Sequence, residues 1–291
     1  RRRQAARRQP VAMRISGTTR IAGVIGDPVR HSLSPVIHNA AFAEAGLDWA
    51  FVAFEVCEGD AAAAITGARA LGVDGLSVTM PHKGAVIEAL DRLSPTATRL
   101  GAVNAIVREG TEFVGHSTDG PGLVDALAYD EGFAPEGKRC VVVGAGGAAR
   151  AVVLALADAG ADEVVVINRT HANAELAAAL AGRNGRVGTA SDVRDADLVV
   201  NATPLGMTGG AELPAVDPSL FHSNQLVVDL VYAPPVTPTI QAARAAGAHA
   251  VGGLGMLVHQ AAHAFTLWTG QEAPLPAMSA AAMAALAHSH R

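Results

Sequence analysis

The segment KRCVVVGAGGAAR, residues 138–150, constrains the fold more than any other part of this chain. Its apolar run CVVV is typical of a buried strand, and an Ala-rich helical sequence follows after a few glycine-rich residues. Small residues between them let the backbone turn sharply from strand into helix. Such a strand, turn and helix predict a sheet of parallel strands covered by helices.

Short β-rich runs and Ala/Leu-rich helical runs alternate on both sides of this segment. The first set begins at Ile21 with IAGVIG, VIHNAAFAEAG, FVAFEV and AAAAITGARALG, and the second continues with EVVVINRT, DLVVNATPLG and LVVDLVY. The later strands are too continuously apolar for an exposed antiparallel sheet. We predict an α/β protein of two domains, an N-terminal mainly parallel α/β domain and a Rossmann-type doubly wound domain.

The segment between the two sets, TDGPGLVDALAYDEGFAPEGK, suits a domain connection because it is helical in its middle and ends in a Gly/Pro loop. Near the C-terminus, Leu254, Leu257, Ala261 and Phe265 recur at helical spacing and could pack back on the first domain. We therefore expect a disordered Arg-rich tail and three folded stretches. Their bounds are 1–17 for the tail, 18–121 completed by helices in 255–291 for the first domain, and 122–254 for the Rossmann domain.

Composition narrows the choice of partners. The 22 Lys and Arg residues against 27 Asp and Glu give a formal net charge of −5, so neither nucleic acid nor an anionic membrane is expected. No apolar run reaches the roughly 18 to 20 residues of a membrane span. Cys57 and Cys140 lie in no zinc-binding spacing, so we predict reduced thiols and no metal site. A cytoplasmic protein with a small-molecule partner is expected, and a homodimer is left open.

The glycine-rich turn also carries a functional signal. Gly144, Gly146 and Ala149 form a G-x-G-x-x-[GA] frame between the predicted strand and helix. Small residues there let the backbone approach a pyrophosphate, and the amides and dipole of the helix N-terminus stabilise its charge. A tight turn without a ligand is the alternative, but the order of strand, loop and helix favours a dinucleotide site.

The end of the next strand indicates which dinucleotide is bound. NAD sites usually carry Asp or Glu there, whereas this chain has Asn168, Arg169 and Thr170. A guanidinium can form charge-assisted bonds to a 2′-phosphate, and the two neutral side chains can donate further bonds. NADP is therefore favoured over NAD. The alternative is that Arg169 is a solvated charge at a strand end.

Two serines in the first domain are candidate substrate ligands. HSLSP places Ser32 and Ser34 two residues apart, so an extended backbone would point both hydroxyls the same way. Two convergent donors suit a carboxylate or a polyol. Ser beside Pro is also common in turns and helix N-caps, which is the alternative interpretation.

A lone lysine stands at the end of another strand. GLSVTMPHK ends with Thr79 and Lys83, at the carboxyl edge where α/β proteins bind ligands. GAVNAIV and GHSTDG add Asn104 and Asp119 in Gly-flanked segments. Lys83 is the best acid/base candidate, and beside Asp119 it could exchange a proton with a substrate hydroxyl. The alternatives are a surface charge for Lys83 and, for Asp119, an N-cap to a helix beginning near Pro121.

Taken in order, GDPVRHSLSPVIHNAAF, GLSVTMPHK, GAVNAIV, GHSTDGPG, GAGGAAR, NRT, NATPLGM, DLVY and GLGMLVHQAAHAFTLWTG resemble the shikimate dehydrogenase family from about Ile21 to Gly270. This ordered set is far more specific than the glycine motif alone. The resemblance implies reversible NADPH-dependent reduction of 3-dehydroshikimate to shikimate, in aromatic amino acid biosynthesis. It also implies hydride transfer at substrate C3, with Lys83 and Asp119 handling the hydroxyl proton.

The resemblance implies roles for individual residues. The expected substrate pocket, with the serines and the tyrosine near the carboxylate, consists of Ser32, Ser34, Thr79, Lys83, Asn104, Asp119, Tyr232 and Gln260. The expected cofactor site consists of Gly144, Ala145, Gly146, Gly147, Ala148, Asn168, Arg169, Thr170, Thr203, Met207, Leu230 and Gly253.

Three positions depart from the family pattern. Ser77 and Ser117 stand where the family commonly has Asn, and Asn173 stands where a second basic residue often grips the 2′-phosphate. Two other functional hypotheses compete with an NADP-dependent dehydrogenase. A quinate/shikimate dehydrogenase using NAD would predict a carboxylate near Asn168, and a non-catalytic metabolite sensor of the same fold would more naturally lack Lys83 or Asp119.

Overall fold

A computed structural model of the chain describes residues 15–207 and 215–289. The predicted tail therefore falls mostly on residues 1–14, which lie outside the described residues. The first half of the chain contains β1 (Arg20–Gly26), α1 (Ser34–Glu44), β2 (Trp49–Glu55), α2 (Ala61–Ala70), β3 (Gly75–Val78), β4 (Arg92–Leu93), α3 (Pro95–Leu100), β5 (Ala105–Glu109), β6 (Glu112–His116) and α4 (Asp119–Tyr129).

These strands form a first sheet with the order β2-β1-β3-β5-β6-β4. β1 runs parallel to β2 and β3, and β4 runs parallel to β6, whereas β5 is antiparallel to both of its neighbours. β5 and β6 are joined by a hairpin in which Glu109 pairs with Glu112 and Gly110 takes a φ of 64°. Glycine adopts this left-handed conformation without the strain that a side chain would cause.

The second half of the chain forms a doubly wound sheet. All neighbouring strands are parallel in the order β12-β11-β10-β7-β8-β9, with the switch in strand order between β7 and β10. Its elements are β7 (Arg139–Val143), α5 (Gly147–Asp158), β8 (Glu163–Ile167), α6 (His171–Ala178), β9 (Gly185–Val187), β10 (Leu198–Asn201), β11 (Leu226–Asp229), α7 (Pro238–Ala245) and β12 (His249–Gly252).

Continuous apolar strands explain this second sheet. The central residues of β7, β8 and β10 are almost entirely buried, because α5 and α6 cover one face and α7 covers the other. A strand buried on both faces needs no polar alternation. The prediction of an α/β protein with a Rossmann-type second sheet is confirmed.

Two further helices, α8 (Leu254–Thr269) and α9 (Leu275–Ser289), return to the first sheet. Phe265 and Trp268 join the core formed by β1, β2 and α1, and Trp268 Nε1 donates to the Ile106 carbonyl at 2.9 Å. Within the described part of the chain, no helix has both the length and the apolar character that crossing a membrane requires.

Candidate active site

One edge of the first sheet collects the polar residues that the sequence singled out. Lys83 follows the carboxyl end of β3, and Asp119 follows the carboxyl end of β6. Asn104 precedes β5, and because β5 is antiparallel its amino end lies at this same edge. The antiparallel direction of β5 is therefore what brings Asn104 to the two charged residues.

Lys83 and Asp119 form a partly buried ion pair. Lys83 Nζ donates to Asp119 Oδ2 at 2.5 Å, and the two side chains are 22% and 10% exposed. The alternative that Asp119 caps a helix beginning near Pro121 is wrong, because α4 begins at Asp119 itself. Its carboxylate instead accepts from Lys83 and Asn104, beside the partly positive N-terminus of α4.

A hydrogen-bond network extends this pair to α8. Asn104 Nδ2 donates to Asp119 Oδ1 at 2.7 Å and to Thr118 Oγ1 at 2.9 Å, and the Thr118 amide donates to Asn104 Oδ1 at 2.7 Å. Gln260 Oε1 lies 3.4 Å from both Asn104 Nδ2 and Thr118 Oγ1. Sequence reasoning missed Thr118, although it stands inside GHSTDG directly before Asp119.

Close packing of α4 on α8 keeps Gln260 in this network. A Cβ atom on Gly122 would lie 2.6 Å from the backbone nitrogen of Gln260, which is closer than two such atoms can approach. Gly122 therefore lets the two helices meet at backbone distance. The small residue is required by the packing, so the position of Gln260 depends on it.

The Ser32 and Ser34 hydroxyls are arranged differently from the prediction. The premise of an extended backbone is wrong, because Leu33 between them is helical (φ −81°, ψ −10°) and Pro35 sits in the first turn of α1. Ser32 Oγ accepts from the Ser34 amide at 3.2 Å. This is the helix-entry turn that the sequence offered as the alternative, although Ser32 still lies at the carboxyl end of β1.

Thr79 and Tyr232 flank the network without joining it. Thr79 follows β3, and its methyl group contacts Gly26 at the end of β1, close to where the Ser32 turn departs. Tyr232 packs against the core of the first sheet, and its burial raises the pKa of its hydroxyl. Among the described residues, no hydrogen bond joins either side chain to Lys83 or Asp119.

The glycine-rich loop has the shape that a phosphate site needs. Gly144 takes a φ of 116°, and a Cβ atom there would lie 3.0 Å from the Ala202 carbonyl oxygen, so only glycine fits without strain. A Cβ on Gly146 would meet nothing within 4 Å, which leaves the backbone open to a ligand. The loop leads into α5 from the carboxyl end of β7, at the switch in strand order where such sheets bind ligands. Ala145 lies in this loop, and Ala148 lies in the first turn of α5.

The edge beyond β8 presents three exposed or half-exposed polar residues. Asn168 Nδ2 donates to the Thr170 carbonyl at 2.9 Å and so shapes the turn into α6. Arg169 and Thr170 are exposed, and within the described residues the Arg169 guanidinium makes no hydrogen bond or ion pair. Asn173 is exposed on the first turn of α6. A free guanidinium fits an incoming phosphate monoester.

The remaining predicted cofactor residues lie at the ends of β10, β11 and β12. The Thr203 methyl would lie 3.2 Å from a Cβ on Gly144, and Met207 is exposed at the end of the same loop, next to residues outside the description. Leu230 follows β11, and its carbonyl lies so close to Gly253 that a side chain there would overlap it. All four residues thus border the glycine loop or the adjoining strand ends.

Sequence reasoning also missed the buried support of these loops. Asp229 is fully buried and accepts hydrogen bonds from Asn201 and Thr237, and Asn201 in turn accepts from Thr203. Burial raises the pKa of the Asp229 carboxyl. The run DLVY contained Asp229, but nothing in its local sequence indicates these partners.

The start of α5, directly after the glycine loop, lies beside the lysine of the first sheet. A Cβ atom on Gly147 would lie 4.0 Å from Lys83 Cδ. The N-terminal end of α5 and the acid/base candidate are therefore neighbours. Of the departures from the family pattern, Ser77 is buried on β3 and Ser117 is half-buried beside Thr118.

Three family models match successive parts of the chain. They are the shikimate dehydrogenase substrate binding domain over residues 24–106, shikimate/quinate 5-dehydrogenase over residues 127–254, and the shikimate 5′-dehydrogenase C-terminal domain over residues 253–283. A curated shikimate dehydrogenase (NADP⁺) from Moorella thermoacetica is 48% identical over 276 residues, which is 91% of this chain and 93% of that protein. The chain belongs to the shikimate dehydrogenase family.

Solved structures of this family agree. The shikimate 5-dehydrogenase of Thermus thermophilus in complex with NADP(H) and shikimate has a TM-score of 0.86 and 36% identity, covering 92% of this chain and 100% of its own. Quinate dehydrogenase from Corynebacterium glutamicum in complex with NAD has a TM-score of 0.82 and 33% identity, covering 91% and 99%. Within residues 15–207 and 215–289, no group of three or more His, Cys, Asp or Glu side chains is placed to hold a metal ion.

Proposed function

We propose that this protein is an NADP-dependent shikimate dehydrogenase, which interconverts 3-dehydroshikimate and shikimate in aromatic amino acid biosynthesis. One observation carries the proposal: the Lys83–Asp119 pair, with an N···O distance of 2.5 Å, lies beside Gly147, where the glycine loop enters α5. A hydride-transfer enzyme needs a proton-transfer group and a dinucleotide at the same carbon atom. Both requirements meet at this position.

Lys83 moves the proton in this proposal. During oxidation of a CH–OH group, Lys83 acts after its ammonium group has released a proton to solvent, and the neutral amine takes up the hydroxyl proton; in the reverse direction the ammonium group donates that proton to the reduced oxygen. Asp119 holds the lysine in place, and Asn104 holds Asp119 through the 2.7 Å bond between their side chains. Gln260 and Thr79 lie around the substrate hydroxyls, and Ser32, Ser34 and Tyr232 lie around its carboxylate.

The residues present fit NADP. When bound, this cofactor supplies the hydride acceptor or donor. The residues that hold its pyrophosphate are Gly144 to Ala148, in the glycine loop and the first turn of α5, where a Cβ on Gly146 would meet open space. Arg169, with Asn168 and Thr170, holds the 2′-phosphate, since its guanidinium has no partner among the described residues and gains a charge-assisted bond on binding the phosphate. Thr203, Met207, Leu230 and Gly253 border the rest of the cofactor.

Further proposals concern organisation. We divide the chain into a substrate domain of residues 18–121, completed by helices in 255–291, and a cofactor domain of residues 122–254.

Cys57 and Cys140 are free thiols, which supports a reducing, cytoplasmic location. A homodimer is also proposed, since Val52 and Phe54 are 40% and 39% exposed on the edge strand β2. Light scattering would test it.

Initial rates with shikimate and with quinate, each with NADP and with NAD, test the function. We expect turnover with shikimate and NADP to exceed every other combination. A preference for quinate with NAD would replace the proposal by a quinate dehydrogenase. Tight shikimate binding without turnover in any combination would indicate a metabolite sensor.

A further inference from the structure

Asp229 is buried far more completely than any charged side chain that the proposed function uses. It is 0% exposed at the end of β11, and no ion pair in the described part of the chain involves it. Its carboxylate accepts from Asn201 Nδ2 at 3.0 Å, from the Val231 amide at 3.1 Å and from Thr237 Oγ1 at 2.6 Å. Burying a carboxyl group costs desolvation free energy that an apolar side chain at this position would not. This cost points to a role for the three hydrogen bonds that Asp229 accepts.

The first bond leads to the loop beside the dinucleotide site. Asn201 Oδ1 accepts from the Thr203 amide at 3.0 Å and from Thr203 Oγ1 at 2.6 Å. Thr203 in turn lies against Gly144 of the glycine loop. Asp229 therefore orients Asn201, and Asn201 orients the start of the loop of residues 203–207.

The second bond leads toward the substrate side. Val231 stands between Leu230 and Tyr232, and its carbonyl accepts from the Gly253 amide at 3.1 Å, where α8 begins. Tyr232 and the following Ala233 pack against the apolar core of the first sheet. The turn that Asp229 holds thus crosses from the second sheet to the first.

The third bond, from Thr237, also supports the loop of residues 203–207. Thr237 caps α7, because its Oγ1 accepts from the Ile240 amide at 3.2 Å while it donates to Asp229. A Cβ atom on Gly206 would lie 3.1 Å from Thr237 Cβ, so the loop of residues 203–207 also rests on Thr237. The start of this loop is therefore linked to Asp229 by hydrogen bonds through Asn201, and Gly206 packs on Thr237, which donates to the same carboxyl group.

We infer that Asp229 is a positioning residue that sets the loop of residues 203–207 and the turn carrying Tyr232 in one arrangement, so that the cofactor and substrate sites are aligned through a single buried carboxyl group. It touches neither ligand and acts through Asn201, Val231 and Thr237. The inference rests on the proposed function for the identity of the two ligands.

Three variants test this role. Asp229→Ala removes the acceptor for all three donors, and Asp229→Asn keeps one acceptor oxygen. The matched control is Gln225→Ala at the opposite end of the same strand, where Gln225 is 2% exposed and its side chain bonds Val193 and His222. Melting temperature, the NADP dissociation constant of the ligand-free protein by calorimetry, and kcat and KM for shikimate are measured for each.

We expect D229A to raise both the NADP dissociation constant and the shikimate KM by about tenfold, the effect of about one buried donor left unpaired. D229N should shift both constants in the same direction by less. Q225A should lower the melting temperature to a similar degree and leave both constants nearly unchanged.

Two results would overturn the inference. One is a change in only one of the two constants, since the alignment would then not be shared. The other is an equal change in Q225A, since the effect would then be a general loss of stability. If D229A does not fold, the effect of Tyr232→Phe on KM is compared in wild type and in D229N. A smaller effect in D229N supports the inference, and full additivity overturns it.

Failure of the proposed function would be seen separately. A wild-type protein that binds NADP but does not turn over shikimate removes the proposed function. Equal NADP dissociation constants in wild type and in folded D229A remove the role of Asp229.

Discussion

The two candidate ligand edges differ in where their polar side chains find partners. At the edge of the first sheet, Lys83, Asp119 and Asn104 bond to one another before any ligand arrives. At the end of β8, the Arg169 guanidinium has no hydrogen-bond or ion-pair partner among the described residues. The first edge is organised for chemistry in advance, whereas the second gains its bonds only on binding. Changes at the first should alter kcat, and changes at the second should alter cofactor affinity.

Removing the lysine breaks the organised edge most directly. Lys83→Ala should lower kcat for shikimate oxidation by about 10³-fold, the usual contribution of a general acid/base. Lys138→Ala is the control, because this second lysine pairs with Asp197 at 3.3 Å on the surface. Circular dichroism checks that both variants fold. A kcat of K83A close to that of K138A would exclude Lys83 from proton transfer.

Removing the free guanidinium tests the other edge. Arg169→Ala should raise the KM for NADP by about 10- to 100-fold, as expected for a lost charge-assisted bond, and leave the KM for NAD unchanged. Arg183→Ala is the control, because Arg183 is also exposed and lies between α6 and β9. Steady-state kinetics with both cofactors measure the effect. Equal weakening of NADP and NAD would mean that Arg169 does not recognise the 2′-phosphate.

Moving a helix tests how much the organised edge depends on packing. Gly122→Ala places a methyl group 2.6 Å from the Gln260 backbone and should displace α8, costing about 1–3 kcal/mol of unfolding free energy and lowering kcat/KM. Gly67→Ala on α2 is the matched control, because its Cβ meets nothing within 4 Å. It should stabilise the protein by about 0.5–1 kcal/mol. Urea unfolding measures both, and a G122A variant as stable as G67A would contradict the packing argument.

The strands were predictable from sequence because the central residues of β7, β8 and β10 are all apolar, and the glycine loop was predictable because its spacing is local. The alignment of Asn104 with Lys83 was not, since it depends on the reversed direction of β5. Thr118 and Asp229 were missed because no local pattern indicates their partners, which lie in other elements or in the turn after β11. The Ser32 geometry was mispredicted because Pro35 starts a helix where an extended segment was assumed.

A third kind of polar group differs from both: it has no hydrogen-bond partner in the described structure and is too deeply buried to meet a ligand. Both ring nitrogens of His38 are buried without a hydrogen-bond partner in the described structure. The ring stacks on Phe51 at a centroid distance of 4.5 Å, under α1 in the core of the first sheet. Burial lowers the pKa of His38 from its usual 6.5 to about 3.

The direction of the pH effect follows from this shift. Between pH 6.5 and about 3 the unfolded chain carries a proton on His38 that the folded protein does not, so the contribution of His38 to stability falls as pH falls through this range. Its replacement by Phe should remove this loss, and it should also remove the cost of the unpaired nitrogens, about 1 kcal/mol. The advantage of His38→Phe over wild type should therefore be larger at pH 5 than at pH 8.

Urea unfolding at these two pH values measures the difference, with His82→Phe as the matched control. His82 is 1% exposed, as deeply buried as His38, but its Nε2 lies 2.7 Å from the Val56 carbonyl oxygen. That replacement leaves the part-buried Val56 carbonyl without this partner, so H82F should be less stable than wild type at both pH values. If H38F also loses stability, the imidazole must contribute more through its contact with Phe51 than its unpaired nitrogens cost, and an unpaired polar group in this core could not be taken as a sign of either function or strain.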